Sequence, residues 1–261
     1  MQVIIQPDTA SAANLVARLV ADTLKAKPAA VLGLATGRTM EPVYERLIEF
    51  HRNDGLDFSR CSTFNLDEYA GVTADDTRSY RHTMQQLLFD HVNVRPEATH
   101  LPDGMAADLN EACVEYENKI NAAGGIDLQL LGIGSNGHIG FNEPLSSFSS
   151  PTHVEFLTAD TIRQNAGLCG GEDRVPRFAL TMGVATILAS RRALMLVTGG
   201  AKAELLANFI EGPVTAMITA SALHWHQDCI IVADADAASV LKNRERFQFA
   251  FENNPAWEAY R

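Results

Sequence analysis

Short, nearly unbroken apolar runs alternate along this chain with longer segments in which apolar residues recur about every 3.6 positions. The runs fall at residues 2–6, 30–35, 61–66, 127–133, 192–198 and 228–233, and each predicts a strand. Helical spacing covers 10–25, 43–50, 79–89, 109–122 and 202–210, and residues 244–251 predict a closing helix. A strand that is apolar at successive positions is buried on both faces, which implies a mostly parallel sheet with helices on either side. No proline-rich or glycine-serine linker breaks the alternation, so residues 1–261 read as one α/β domain of Rossmann-like type, with 2–6 near an edge. No internal repeat or low-complexity tract competes with this picture.

In open parallel sheets ligands lie beyond the carboxyl ends of the strands, at a reversal of strand order. Four predicted strand ends carry polar, glycine-rich or acidic residues: TGRT at 36–39, NLDEY at 65–69, GSNGHIGFNEP at 134–144 and GGAK at 199–202. Distant in sequence, they converge on one rim.

Thr36, Gly37, Arg38 and Thr39 fall between a strand and a helix, where unpaired N–H groups and the helix dipole favour an anion. Gly37 allows close approach, the threonines offer hydroxyls and Arg38 offers charge. Lys202 repeats the arrangement, at a helix start where a cation is unfavourable unless an anion sits between. Neither turn is GxxxxGK[ST] or GxGxxG, so nucleotide binding lacks its motifs and a simple phosphate is the economical ligand. Asp67 and Glu68 end a strand; a shielded carboxylate there gains basicity and suits proton abstraction, while a helix cap or solvated acidic pair is the plainer alternative. Residues 134–144 hold three glycines, His138, Glu143, Asn136 and Asn142. A histidine titrating at about 6.5 suits proton exchange with a sugar hydroxyl. Glu143 reaches its ring only if the backbone loops back.

The chain has 21 Lys plus Arg against 32 Asp plus Glu, a net charge of −11, which argues against a nucleic-acid or anionic-membrane surface. The opening MQVIIQPDTAS has no basic stretch ahead of its apolar one, so no signal peptide is expected, and no run is long enough to span a bilayer. Cys61, Cys113, Cys169 and Cys229 are widely spaced, as free thiols in a reducing cytoplasm would be. His224 and His226 would share one strand face but lack a third ligand, so no metal is expected. GxSxG and HExxH are missing.

Taken together, GLATGRT, FNLDEY, GIGSNGHIGFNEP, ALTMG at 179–183 and TGGAK resemble the glucosamine-6-phosphate deaminase family, in the same order and at similar spacing. The resemblance runs through about residues 1–235 and implies conversion of glucosamine 6-phosphate and water to fructose 6-phosphate and ammonia, without cofactor or metal. It implies that Asp67 moves a proton between C2 and C1, that His138 opens the pyranose and that Glu143 orients it. Thr36, Gly37, Arg38, Thr39 and Lys202 then cradle the 6-phosphate. Three departures stand out. Asn136 occupies a position where many members have aspartate; an amide takes no proton but still holds the histidine by hydrogen bonding. The arginine of an N-x-R turn is missing from Asn165-Ala166-Gly167, leaving Arg163, Arg174, Arg177 or Arg38 as its replacement. Arg38 itself stands where a small residue is common. Some members are hexamers activated by N-acetylglucosamine 6-phosphate through basic residues after the NEP motif. Residues 145–155 carry no Lys or Arg, so no such activation is expected. Galactosamine-6-phosphate deaminase, 6-phosphogluconolactonase and a non-catalytic sugar-phosphate sensor are the competing assignments. The expected partner is a small sugar phosphate, with homo-oligomerisation left open.

Overall fold

In the computed structural model, which describes residues 1–261, the chain runs β1 (Gln2–Gln6), α1 (Thr9–Ala26), β2 (Val31–Leu34), α2 (Glu41–Asp54), β3 (Ser62–Asn65) and β4 (Asp67–Tyr69). It continues through α3 (Tyr80–Leu87), β5 (Thr99–His100), α4 (Leu109–Ala122), β6 (Leu128–Leu131), β7 (His153–Phe156) and α5 (Ala159–Cys169). It ends with β8 (Phe178–Thr181), α6 (Val184–Leu188), β9 (Ala193–Val197), α7 (Ala203–Glu211), β10 (Cys229–Asp234) and α8 (Arg244–Asn253). No helix is long and apolar enough to cross a membrane.

Seven strands form the main sheet in the order β1-β10-β9-β6-β2-β3-β5, every neighbouring pair parallel. Positions along β2, β6, β9 and β10 are all buried, which requires helices on both faces, as their unbroken hydrophobicity predicts. From β2 the chain adds strands towards β5; from β6 it adds them the other way, towards β1. The reversal lies between β2 and β6, so the loops after these two strands open on the crevice where such sheets bind ligands.

The sequence reading missed two features. β5 is only two residues long at the edge. The other is a second sheet, β4-β8-β7, antiparallel throughout. Its strands are short, and β7 is partly exposed along its length, so they lack the apolar runs that marked the rest. The core divides accordingly. A cluster of 57 buried residues fills the main sheet's two faces, while eight others, among them Tyr69, Phe141, Leu157 and Ile162, pack beneath the small sheet and α5.

His224 and His226 do not lie on a strand: residues Thr219–Trp225 form a 3-10 helix. His224 Nε2 pairs with the Phe209 carbonyl at 2.9 Å and His226 Nε2 with Ser190 Oγ at 3.1 Å, so the two rings serve separate local contacts.

Candidate active site

The loops after β2, β3, β6 and β9 meet around a cavity of about 400 Å³ lined by Thr36, Gly37, Arg38, Thr39, Asp67, His138 and Lys202. A larger cavity of about 560 Å³, between β1 and α8, contains none of the motif residues.

Two cations, Arg38 and Lys202, line the smaller cavity. Gly37 takes φ +111°, a left-handed turn open to glycine, and a single 3-10 turn, Arg38–Met40, then leads into α2. The Arg38 side chain is exposed and unpaired, and its Nη2 lies 3.7 Å from where a Cβ on Gly167 would be. The Arg38 guanidinium therefore borders the space into which a side chain at 167 would extend. Arg163 is instead paired with Asp160, and neither it nor Arg174 nor Arg177 lines the cavity. Lys202 donates from Nζ to the Ile133 carbonyl at 3.1 Å, and burial lowers its pKa. Two cations free of carboxylate partners, in a chain of net charge −11, make this the place for an anion.

Asp67 and Glu68 are adjacent and opposite in character. Glu68 accepts four hydrogen bonds, from the Tyr69, Tyr80 and Arg81 backbone N–H groups and the Ser79 hydroxyl, at 2.7–3.0 Å. It anchors the start of α3. Asp67 is 6% exposed, makes no hydrogen bond through its carboxyl, and faces the cavity beside Gly140. Burial, reinforced by the neighbouring Glu68 charge, pushes its pKa up to about 8.

The loop after β6 does bring Glu143 back to the histidine: Oε2 lies 3.6 Å from His138 Nδ1, within ion-pair reach but too long for a hydrogen bond. Close approach here requires Gly134, since a Cβ would sit 2.3 Å from the His138 ring. Asn136 does hold the histidine by a hydrogen bond, but at its backbone and not at its ring. Its Nδ2 donates to Glu143 Oε2 at 2.9 Å and its Oδ1 accepts the His138 backbone N–H at 3.2 Å, because its side chain turns along the loop toward the carboxylate. Glu143 is buried, which alone would raise its pKa; the His138 imidazole beside it and the hydroxyl and amide donors around it outweigh this and hold it down at about 2. Asn136 and Glu143 stand behind His138 and do not line the cavity.

Sequence reasoning gave no site role to Tyr80, Gln164 or Asn165, which also line the cavity. Tyr80 packs with its ring 6.0 Å from that of Phe141, and Gln164 and Asn165 enter from α5. The α5 pair lies in the very segment scanned for a missing arginine, but helical polar residues carry no motif of their own.

A family described as glucosamine-6-phosphate isomerases/6-phosphogluconolactonase matches residues 8–231. The chain is 47% identical over 242 residues to the glucosamine-6-phosphate deaminase of Hahella chejuensis, covering 93% of this chain and 92% of that one. It is 43% identical over 258 residues, 99% of each chain, to that of Arthrobacter sp. strain FB24. The solved structure of a monomeric glucosamine-6-phosphate deaminase superposes with a TM-score of 0.90 at 45% identity, over 92% of this chain and 100% of the other. The 6-phosphogluconolactonase from Trypanosoma brucei gives a TM-score of 0.75 at 18% identity over 91% and 97%, which is a shared fold and no more. This chain belongs to the family of glucosamine-6-phosphate isomerases and 6-phosphogluconolactonases.

Proposed function

We propose that the protein is a glucosamine-6-phosphate deaminase, converting glucosamine 6-phosphate and water to fructose 6-phosphate and ammonia. The observation that carries this reading is Asp67: a carboxylate free of hydrogen bonds, made basic by burial, on the same cavity as His138 and two free cations. Ester hydrolysis of a lactone has no use for a base poised over carbon; an aldose-to-ketose shift does. The deaminases aligning over 93% and 99% of the chain support the same choice.

In this reading the 6-phosphate lies among Thr36, Gly37, Arg38, Thr39 and Lys202, with Arg38 supplying the charge that Asn165-Ala166-Gly167, a stretch of α5 and not a turn, lacks. His138 takes the proton of the anomeric hydroxyl and returns one to the ring oxygen, opening the pyranose. Glu143 balances the imidazolium, and Asn136 steadies Glu143. Asp67 removes the C2 proton and delivers it to C1, leaving an imine-level carbon at C2. Water adds there, ammonia leaves, and the ketose forms. Every step is a proton transfer, an addition or an elimination, so none calls for a cofactor or metal. Every group comes from one chain, so none needs a second copy. Buried free thiols at Cys61, Cys113, Cys169 and Cys229 agree with a cytoplasmic setting.

Ammonia release from glucosamine 6-phosphate, galactosamine 6-phosphate and unphosphorylated glucosamine tests the reading. The first should be turned over best and the last very poorly. Preferential turnover of the galactose epimer would reassign the substrate, and hydrolysis of 6-phosphogluconolactone without ammonia release would overturn the reaction.

A further inference from the structure

The carboxylate that faces His138 is held from behind by a helix outside the main core. Thr158, the N-cap of α5, donates to Glu143 Oε1 twice, from its backbone N–H at 3.1 Å and its hydroxyl at 3.0 Å. The same hydroxyl oxygen accepts the Thr161 N–H at 3.3 Å, closing the first turn. The other oxygen, Oε2, accepts from Asn136 and is the one turned toward His138 Nδ1. Glu143 is 3% exposed, and Nδ1 is buried with no hydrogen-bond partner.

A carboxylate is planar, so two donors on one oxygen fix where the other oxygen points. Without the Thr158 donors the group is held by Asn136 alone and turns more freely about its terminal torsion, which is broad and roughly two-fold, so that the aim of Oε2 loosens. Nδ1 has no alternative acceptor in reach, so the imidazolium formed during ring opening would then be buried and poorly balanced.

We infer that Thr158 is a positioning residue for the acid–base step, fixing Oε1 of Glu143 so that Oε2 is aimed at His138 Nδ1. It touches neither substrate nor the reacting atoms; it acts through Glu143. The inference rests on the proposed role of His138 and Glu143 in ring opening. It goes beyond that role by naming what holds the pair in register. The second tie of α5 to this loop, Ser135 N–H to Gln164 Oε1 at 3.0 Å, lies on the cavity side and leaves the carboxylate untouched.

Three variants of the full chain test it. Thr158→Val loses the hydroxyl, Thr158→Ser keeps it, and Asp160→Ala weakens the same first turn of α5 without reaching Glu143. Ammonia assays should show Thr158→Val with kcat reduced about 10- to 100-fold, the effect of removing a hydrogen bond to a charged group, and KM changed little. Thr158→Ser should restore kcat to within about threefold, and Asp160→Ala should match wild type. The histidine ring resonances report independently of turnover: that of His138 should move in Thr158→Val and stay in place in Asp160→Ala. An unmoved His138 resonance with unchanged kcat overturns the inference. So does an equal loss in Thr158→Val and Asp160→Ala, since the hydroxyl would then serve only the helix. If instead Glu143→Gln leaves turnover intact while the His138 resonance still moves in Thr158→Val, the role given to Glu143 fails and the positioning contact stands.

Discussion

Replacing Asp67 by asparagine should make this protein less active and more stable, and the second effect should depend on pH. The Asp67 carboxyl titrates at about 8 in the fold against 3.8 ordinarily, because burial disfavours its charged form. Its folded pKa is raised, so its contribution to stability is complete below pH 4 and is lost as pH rises through about 8. Over that window the unfolded chain has released a proton that the folded chain keeps, and wild type loses ~1.36 kcal/mol of stability per pH unit. By pH 7 the loss approaches roughly 4 kcal/mol, with partial access to the cavity bringing the expected value to about 2–4 kcal/mol. Asparagine matches the protonated acid in shape and has nothing to ionise, so the variant escapes the loss. An unfolding entropy of ~2.1 cal/mol/K per residue converts this into a Tm about 4–7 °C above wild type at pH 7, and a negligible difference at pH 4. Thermal denaturation followed by far-UV circular dichroism, without ligand, from pH 4 to 8.5 reads it directly. Turnover should fall about 10²–10⁴-fold, the usual worth of a general base, and wild-type kcat/KM should climb with pH up to about 8. A Tm difference that is flat with pH would refute the electrostatic account. A variant retaining more than a tenth of wild-type turnover would refute the catalytic one.

Other expectations follow from the cations and from the segment after Glu143. Lys202→Ala should raise KM by the equivalent of about 1.5–3 kcal/mol and leave kcat nearly unchanged, and turnover of unphosphorylated glucosamine should be indifferent to it; equal damage with both substrates would give Lys202 another job. Gly167→Arg should impair binding by setting a second guanidinium beside Arg38, and Arg38→Ala should weaken it by loss of charge; the double change should recover part of the affinity, because the two positions adjoin. A double variant no better than the worse single one would separate the two sites. N-acetylglucosamine 6-phosphate at millimolar concentration should not raise initial rates at sub-saturating substrate, since His153 and Glu155 pair with each other at 3.2 Å where a phosphate would need cations; a sigmoidal curve turned hyperbolic would disprove this.

The main sheet was legible because its strands are buried on both faces and announce themselves as continuous apolar runs. The convergence of four strand ends followed from topology alone. β4 and β7 were not legible: each is three or four residues long, polar in part, and defined by pairing with a strand more than twenty residues away or across the whole middle of the chain. The proximity of Glu143 to His138 was legible from glycines that force the loop back, and Gly134 proves to be required by the ring itself. That Asn136 hydrogen-bonds the histidine was legible, but its second bond, to Glu143, was not, because where an amide's two ends point depends on side-chain torsions that spacing does not encode. The adjacency of Arg38 and Gly167 joins residues far apart in sequence, and of the four arginines considered only Arg38 lines the cavity, which spacing does not reveal.

Strand β4 gives the Asp67-Glu68 pair a further significance. Successive side chains on a strand point to opposite sides, and pairing with β8 sets Asp67 opposite Thr181 and Glu68 opposite Leu180. One carboxylate is thereby solvated by four protein donors, while its neighbour is deprived of any and is left the more basic by burial. Which of them takes which part is a matter of parity. Inserting or deleting one residue between β3 and β4 would exchange their sides, leaving composition, net charge and nearly every contact of the main sheet unaltered while presenting the wrong acid to the cavity. The chemistry of this site is thus stored in an odd-or-even count along the chain, and the small antiparallel sheet is what keeps that count.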